Sequence, residues 1–266
     1  MDEIEVGGLR IAYERAGRGP AVVLLQGFVG DGRSSWSEQI DALSDEFTVI
    51  AWDAPGAGRS SDPPDSFRIA DFADCLVAFL RGLGVPQGHL VGLSFGGIVA
   101  LAVADRHPEV ARSLGLVSAY AGWRGSLPDE DVDDRLRRCL HLSEQPPDDF
   151  VRAMVPSMFS AAAPDSVVEA FAASVREFRP AGFRTMAKAS AEADLRHVLP
   201  EVTVPTLLLY GDHDVRAPLQ VAEGLRAGIP SSRLVVLPNV GHVCSVEAPD
   251  EVNRALGDFL RSVPSA

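Results

Sequence analysis

Short runs of continuous apolar residues recur along this chain, and the segments between them carry apolar residues at helical spacing. Residues 21–25, 47–52, 89–91, 113–117, 205–210 and 233–237 are such runs. A run that is apolar on both faces reads as a strand covered on both sides, the condition inside a parallel sheet. Residues 35–43, 69–83, 95–107, 219–229 and 250–260 read as the intervening helices. Two shorter strands, 4–6 and 9–13, come first and are parted by the turn signal Gly7-Gly8. Strands alternating with helices are connected by right-handed crossovers, which leaves an α/β fold class with a mostly parallel central sheet and helices on both faces.

One segment breaks the alternation. From 121 to 199 the pattern is helical, interrupted by Pro128, Pro146-Pro147, Pro156, Pro164 and Pro180, with no strand-like run. Proline favours the start or the stop of a helix, so four short helices are expected. The domain reading is a core made of 1–120 and 200–266, with 121–199 inserted as a helical cap (lid).

Composition narrows the functional classes. The formal net charge of −13 opposes nucleic acid as a partner, since phosphate binding needs a basic surface. Lys188 is the sole lysine, so the chain has no glycine-rich phosphate loop ending in Gly-Lys-Ser/Thr. Cys75, Cys139 and Cys244 are sparse and form no C-x-x-C pair, which fits reduced thiols in a cytoplasmic protein. The acidic start Met1-Asp2-Glu3 has no apolar stretch of the signal-peptide kind, and no run reaches membrane-spanning length. No membrane partner is therefore expected; oligomeric state is left open.

The strongest chemical signal is Gly92-Leu93-Ser94-Phe95-Gly96-Gly97, lying between the strand 89–91 and the helix 95–107. That context makes it a nucleophile elbow, a strained strand-to-helix turn that presents Ser94 at the positive end of a helix. A serine hydroxyl needs a base. Of six histidines, His242 lies in the loop just beyond the last apolar strand run, where ligand-facing loops of open α/β sheets gather. Asp212 and Asp214 follow the strand 205–210; Asp214, deeper in the loop, is the expected acid, and Asp212 is expected to shape the turn. The order Ser94, Asp214, His242 is that of an elbow-type triad. Two backbone N–H groups must meet the developing oxyanion, and Phe95 and Phe28 are the candidates.

Taken in order, Gln26-Gly27-Phe28, residues 53–60, 92–97, 211–214 and Gly241-His242 resemble the α/β-hydrolase superfamily over nearly the whole chain. The stretch from Ala193 to Thr206 and the lid length are similar to the branch of 3-oxoadipate enol-lactonases and related serine esterases. The resemblance implies an α/β-hydrolase fold, no cofactor, and hydrolysis of a small-molecule carboxylic ester or lactone through an acyl-enzyme intermediate. It also implies a structural loop at 53–60. Gln26 departs from the family, whose members usually carry histidine there, and the support of the oxyanion loop is the feature this departure touches.

Other chemistries on the same triad are a cofactor-free perhydrolase and a C–C bond hydrolase; a non-catalytic small-ligand receptor is the reading outside enzymes. Ser94 in place of aspartate opposes epoxide hydrolases and haloalkane dehalogenases. No metal site is expected, because H-E-x-x-H is absent and Asp212-His213-Asp214 is the lone cluster. Gln26, Trp36, Trp123 and Phe159 are expected to line a mainly apolar substrate pocket with Phe28 and Phe95. Arg124 or Arg216 could meet a substrate carboxylate, the plainer alternative being that both form surface ion pairs.

Overall fold

The structure, a computed structural model, describes residues 1–264. Its strands are β1 (Asp2–Val6), β2 (Leu9–Ala16), β3 (Ala21–Leu25), β4 (Thr48–Trp52), β5 (Gly88–Leu93), β6 (Ala111–Val117), β7 (Thr206–Gly211) and β8 (Ser232–Leu237). They form one sheet in the order β1-β2-β4-β3-β5-β6-β7-β8. Pairings β1–β2 and β2–β4 are antiparallel, and every pairing from β4 to β8 is parallel. Burial follows position. β4, β5 and β7 are buried at every residue, whereas β8 at the edge is only partly covered and carries the exposed Arg233. A charge on an edge strand opposes pairing with another chain.

The core helices are α1 (Gly32–Leu43), α2 (Ile69–Gly82) and α3 (Phe95–Arg106) on the amino-terminal side. α3 is apolar almost all round and buried from Phe95 through Val103, as a helix at the centre of a fold must be. α1 starts three residues before its apolar pattern does because Asp31 caps it. Asp31 Oδ1 accepts from the Ser34 N–H at 2.7 Å, and Ser34 Oγ accepts from the Asp31 N–H at 2.9 Å. Such reciprocal capping satisfies donors that the first turn leaves free.

Between β6 and β7 lie four α-helices among the described residues: α4 (Asp129–Leu142), α5 (Pro147–Met154), α6 (Asp165–Arg176) and α7 (Pro180–Glu192). Prolines start each one: Pro128 and Pro164 immediately precede α4 and α6, and Pro147 and Pro180 are the first residues of α5 and α7. A proline there loses no helical hydrogen bond. The chain ends with α8 (Leu219–Gly228), the short α9 (Cys244–Glu247) that periodicity did not reveal, and α10 (Pro249–Ser262).

The inserted helices are fastened to the core at points of backbone contact. Gly182 at the start of α7 meets Gly56: a Cβ on Gly182 would lie 2.0 Å from the Gly56 carbonyl oxygen. Gly182→Ala should therefore destabilise the fold by about 1–3 kcal/mol through overpacking, against a helix-propensity gain of about 1 kcal/mol. Urea unfolding measures the balance, and a midpoint at or above that of the wild type would mean that the two segments can part freely.

Candidate active site

β5 ends at Leu93 and α3 begins at Phe95, so Ser94 alone turns the chain, at φ 51° and ψ −108°. Such a conformation costs a non-glycine residue about 1–3 kcal/mol and persists only where packing enforces it. Here the packing leaves no room. A Cβ on Gly92 would lie 2.3 Å from the carbonyl carbon and oxygen of Gly96, and one on Gly96 would lie 2.2 Å from the Leu25 oxygen. The Ser94 N–H donates to the Val117 carbonyl at 2.8 Å, which locks the turn to β6.

Asp214 and His242 follow β7 and β8 and come together from 28 residues apart. His242 Nδ1 and Asp214 Oδ2 are 2.8 Å apart, with both residues buried. Asp214 Oδ1 accepts from the N–H groups of Arg216 and Ala217, each at 2.8 Å. With Nδ1 donating to the carboxylate, Nε2 is left as the acceptor of a neutral imidazole. Asp212 instead accepts from the Asn239 N–H at 2.6 Å and ties the β7 and β8 loops. Among the described residues no hydrogen bond joins Ser94 Oγ to His242; such bonds in unliganded sites are often long and tighten with a ligand bound.

Burial sets the charge states. It pushes His242 below its ordinary value, and the Asp214 carboxylate only partly restores it, while Arg216 and Arg135 push it further down. For Asp214, burial alone would raise the value, but His242 and the two backbone N–H groups bring it below the ordinary range. Burial pushes the Cys244 thiol up to about 12, so this neighbour of His242 stays protonated and inert.

The loop after β3 lies beside the Ser94 turn, with a Cβ on Gly27 only 3.9 Å from the Ser94 Cβ. Among the described residues the N–H groups of Phe28 and Phe95 have no hydrogen-bond partner. Gln26 and Trp36 correct the expected pocket lining: both are 0% exposed, so neither touches space that a water molecule could fill. The Gln26 amide, oriented by its neighbours, donates to the Trp52 carbonyl at 2.6 Å and accepts from the Ala54 N–H at 2.9 Å. It holds the loop after β4 to the loop after β3. Asp53, in that same loop, is spent on structure too, accepting from the N–H groups of Gly32 and Arg59 at 2.9 Å each.

Phe28 is the centre of an aromatic cluster. Its ring stacks on Phe183 at 5.1 Å and meets Trp123 edge-on at 6.1 Å. The Arg216 guanidinium lies 5.5 Å from the Phe28 ring centre, donating to Ser157 Oγ at 2.9 Å, with no carboxylate partner among the described residues. Arg124 behaves otherwise, paired on the surface with Asp129 and Asp133. Phe159 packs on Phe171 and lies against Gly241, next to His242. Two cavities share residues with this cluster, one of about 530 Å³ lined by Phe28 and Phe183 and one of about 300 Å³ lined by Arg135 and Arg216.

Tyr120 and Arg135 were not among the expected site residues. The Tyr120 ring lies 6.5 Å from that of His242, and its hydroxyl donates to the Arg216 carbonyl and accepts from Arg135 Nη1. Its place just past the end of β6 was the available signal; Arg135, on a polar helix, had none.

Comparison with known proteins identifies the fold family. A sequence profile of the family described as alpha/beta hydrolase fold matches residues 20–249. Serine hydrolase BPHL of Mus musculus is 30% identical over 268 residues, covering 97% of this chain and 86% of that protein. A thermophilic esterase from Thermogutta terrifontis superposes with a TM-score of 0.92 at 29% identity, covering all of both chains. The enol-lactonase from Burkholderia xenovorans LB400 superposes with a TM-score of 0.89 at 25% identity, over 98% of this chain and 100% of that one.

The buried pair yields a prediction about pH. His242 should titrate below its ordinary 6.5 in the folded chain, so the unfolded chain takes up that proton first as pH falls. Folding stability then declines as pH drops from about 6.5 through the folded value. Asp214 adds stability that is present above its ordinary 3.8 and is lost as pH falls through its own lowered value. An NMR titration of the His242 ring reads the first shift; an inflection above 6.5 would contradict the burial argument.

Proposed function

Because this chain belongs to the α/β-hydrolase fold family and is a hydrolase, we propose that it cleaves a small-molecule carboxylic ester or lactone through an acyl-enzyme on Ser94. The observations that carry this reading are the buried His242–Asp214 pair in the loops after β7 and β8 and a serine held at positive φ between strand and helix. Ser94 Oγ attacks the acyl carbonyl carbon while His242 Nε2 takes its proton. Asp214 holds the tautomer and stabilises the imidazolium. The N–H groups of Phe28 and Phe95 receive the developing oxyanion, each worth about 3 kcal/mol. His242 then protonates the departing alcohol oxygen, and water attacks the acyl-enzyme by the same path in reverse.

The helical segment 121–199 acts as a lid in this reading. Phe28, Trp123 and Phe183 supply an apolar wall, and excluding water strengthens every dipole aimed at the oxyanion. Small substrates fit such a site; polymers and folded proteins do not. Arg216 adds a preference. A cation without a carboxylate partner, set on the ring of an oxyanion-loop residue, favours a substrate that brings its own carboxylate, whereas Arg124 is already neutralised.

Ser94→Ala and His242→Ala should each lower kcat on a small ester by about 10⁶-fold, and Asp214→Asn by about 10⁴-fold. Near-full activity of Ser94→Ala would end the proposal. A charge-assisted bond is worth about 1.5–3 kcal/mol. Arg216→Met should therefore cut the kcat/KM ratio of a carboxylate-bearing ester over its neutral counterpart by about 10–100-fold. Arg124→Met should leave that ratio in place; the opposite ranking would assign the carboxylate to Arg124.

A further inference from the structure

Glu247 closes the short helix α9, five residues after His242, and its carboxylate has no cationic partner among the described residues. It is instead held by neutral donors from two segments far apart in the chain. Oε2 accepts from the Gly241 N–H at 2.9 Å. Both oxygens accept from the Ser160 N–H at 3.2 Å, and Oε1 accepts from Ser160 Oγ at 2.5 Å. One carboxylate thus joins the residue immediately before His242 to the inserted segment between α5 and α6.

The same two segments touch on the other side of the histidine, where the Val243 N–H donates to the Met158 carbonyl at 3.0 Å. At Gly241 the contact is so close that a Cβ would lie 2.6 Å from the Phe159 carbonyl carbon and the Ser160 nitrogen. His242 is therefore bracketed by residues 158–160, and among the described residues its one side-chain hydrogen-bond partner is Asp214, at Nδ1. Phe159 rests in turn on Phe171 of α6, with ring centres 5.5 Å apart. Phe171, Phe159 and Gly241 thus form a packed chain from α6 to the residue before His242.

We propose that Glu247 is a positioning residue for His242, and that through Ser160 it makes the placement of the imidazole depend on the placement of the inserted helices. The inference rests on the hydrolase reading for its catalytic consequence but not for its geometry. An anionic acceptor serves better than a neutral one here because bonds to a charged oxygen are roughly twice as strong, and three donors must be held at once. Glutamine puts an NH2 donor where one of the two accepting oxygens stands, so it cannot receive the Gly241 and Ser160 N–H groups on both sides. Aligned groups matter steeply in such a site: a misplacement of about 1 Å can cost about 100-fold in rate.

The test compares the full-length wild type with Glu247→Gln, Glu247→Ala, Ser160→Ala and the Glu247→Ala/Ser160→Ala double variant. Two readouts are taken: the rate at which a fluorophosphonate labels Ser94, and the low-field proton resonance of His242 Nδ1–H. Glu247→Ala should slow labelling about 10–100-fold and broaden or shift the resonance, with Glu247→Gln in between. Ser160→Ala, which keeps its backbone N–H, should have the smallest effect, and the double variant should be no worse than Glu247→Ala. Labelling at the wild-type rate with an unmoved resonance in Glu247→Ala, or fully additive effects in the double variant, would overturn the proposal. Should Glu247→Ala not fold, Glu247→Gln decides on the same two readouts. A wild type that is neither labelled nor active on esters would overturn the hydrolase reading alone, and the resonance would then decide the Glu247 link by itself.

Discussion

The approach of α3 to the strand ends at Ser94 is the contact on which the rest of the structure depends. Gly92, Gly96 and Leu25 bring three backbone segments so close that an added Cβ would overlap carbonyl atoms at 2.2–2.3 Å. Close-packed interiors tolerate no such overlap. Because β3, β5 and β6 are neighbours in the sheet, this single approach sets the 26–28 loop on one side of Ser94 and the start of the inserted helices on the other. It also holds Ser94 in a backbone conformation that no local preference would select.

Around that turn the electrostatics are those of a site with little water. Asp214 and His242 have their bonds supplied by each other and by two backbone N–H groups. A carboxylate and an imidazole so buried would be costly if either lost its partner. Arg216 and Arg135 face the pair as cations without carboxylate partners among the described residues, resting on the rings of Phe28, Tyr120 and Trp123. Attraction to the ring faces offsets part of the cost of placing them there. Their charge favours the neutral imidazole, which is the form a general base needs.

The inserted helices are bound to the core by close backbone contacts, by the Glu247 carboxylate and by the ion pairs Arg68–Glu192 and Arg179–Asp62, as well as by apolar packing. Gly56 and Gly182 meet backbone to backbone, and the 158–160 segment brackets His242 through Val243 and Glu247. The crossing pairs Arg68–Glu192 and Arg179–Asp62 are partly exposed and add little in such settings.

Much of this was legible in the order of residues. Apolar runs and helical spacing foretold the strands and the core helices, the prolines foretold the starts of α4 to α7, and glycines around Ser94 foretold the turn. These signals are local: a periodicity or a forbidden φ is imposed by a few neighbouring residues. Only the tertiary structure decided which partner each polar side chain would take. Gln26 turned inward to bridge Trp52 and Ala54, Trp36 went to the core, and Arg124 found two aspartates while Arg216 found an aromatic ring. Glu247 reached Ser160 across 87 positions of sequence. Residues so far apart have no shared local pattern, and their meeting is set by how helices and strands pack, which is where the chain keeps the information that spacing does not carry.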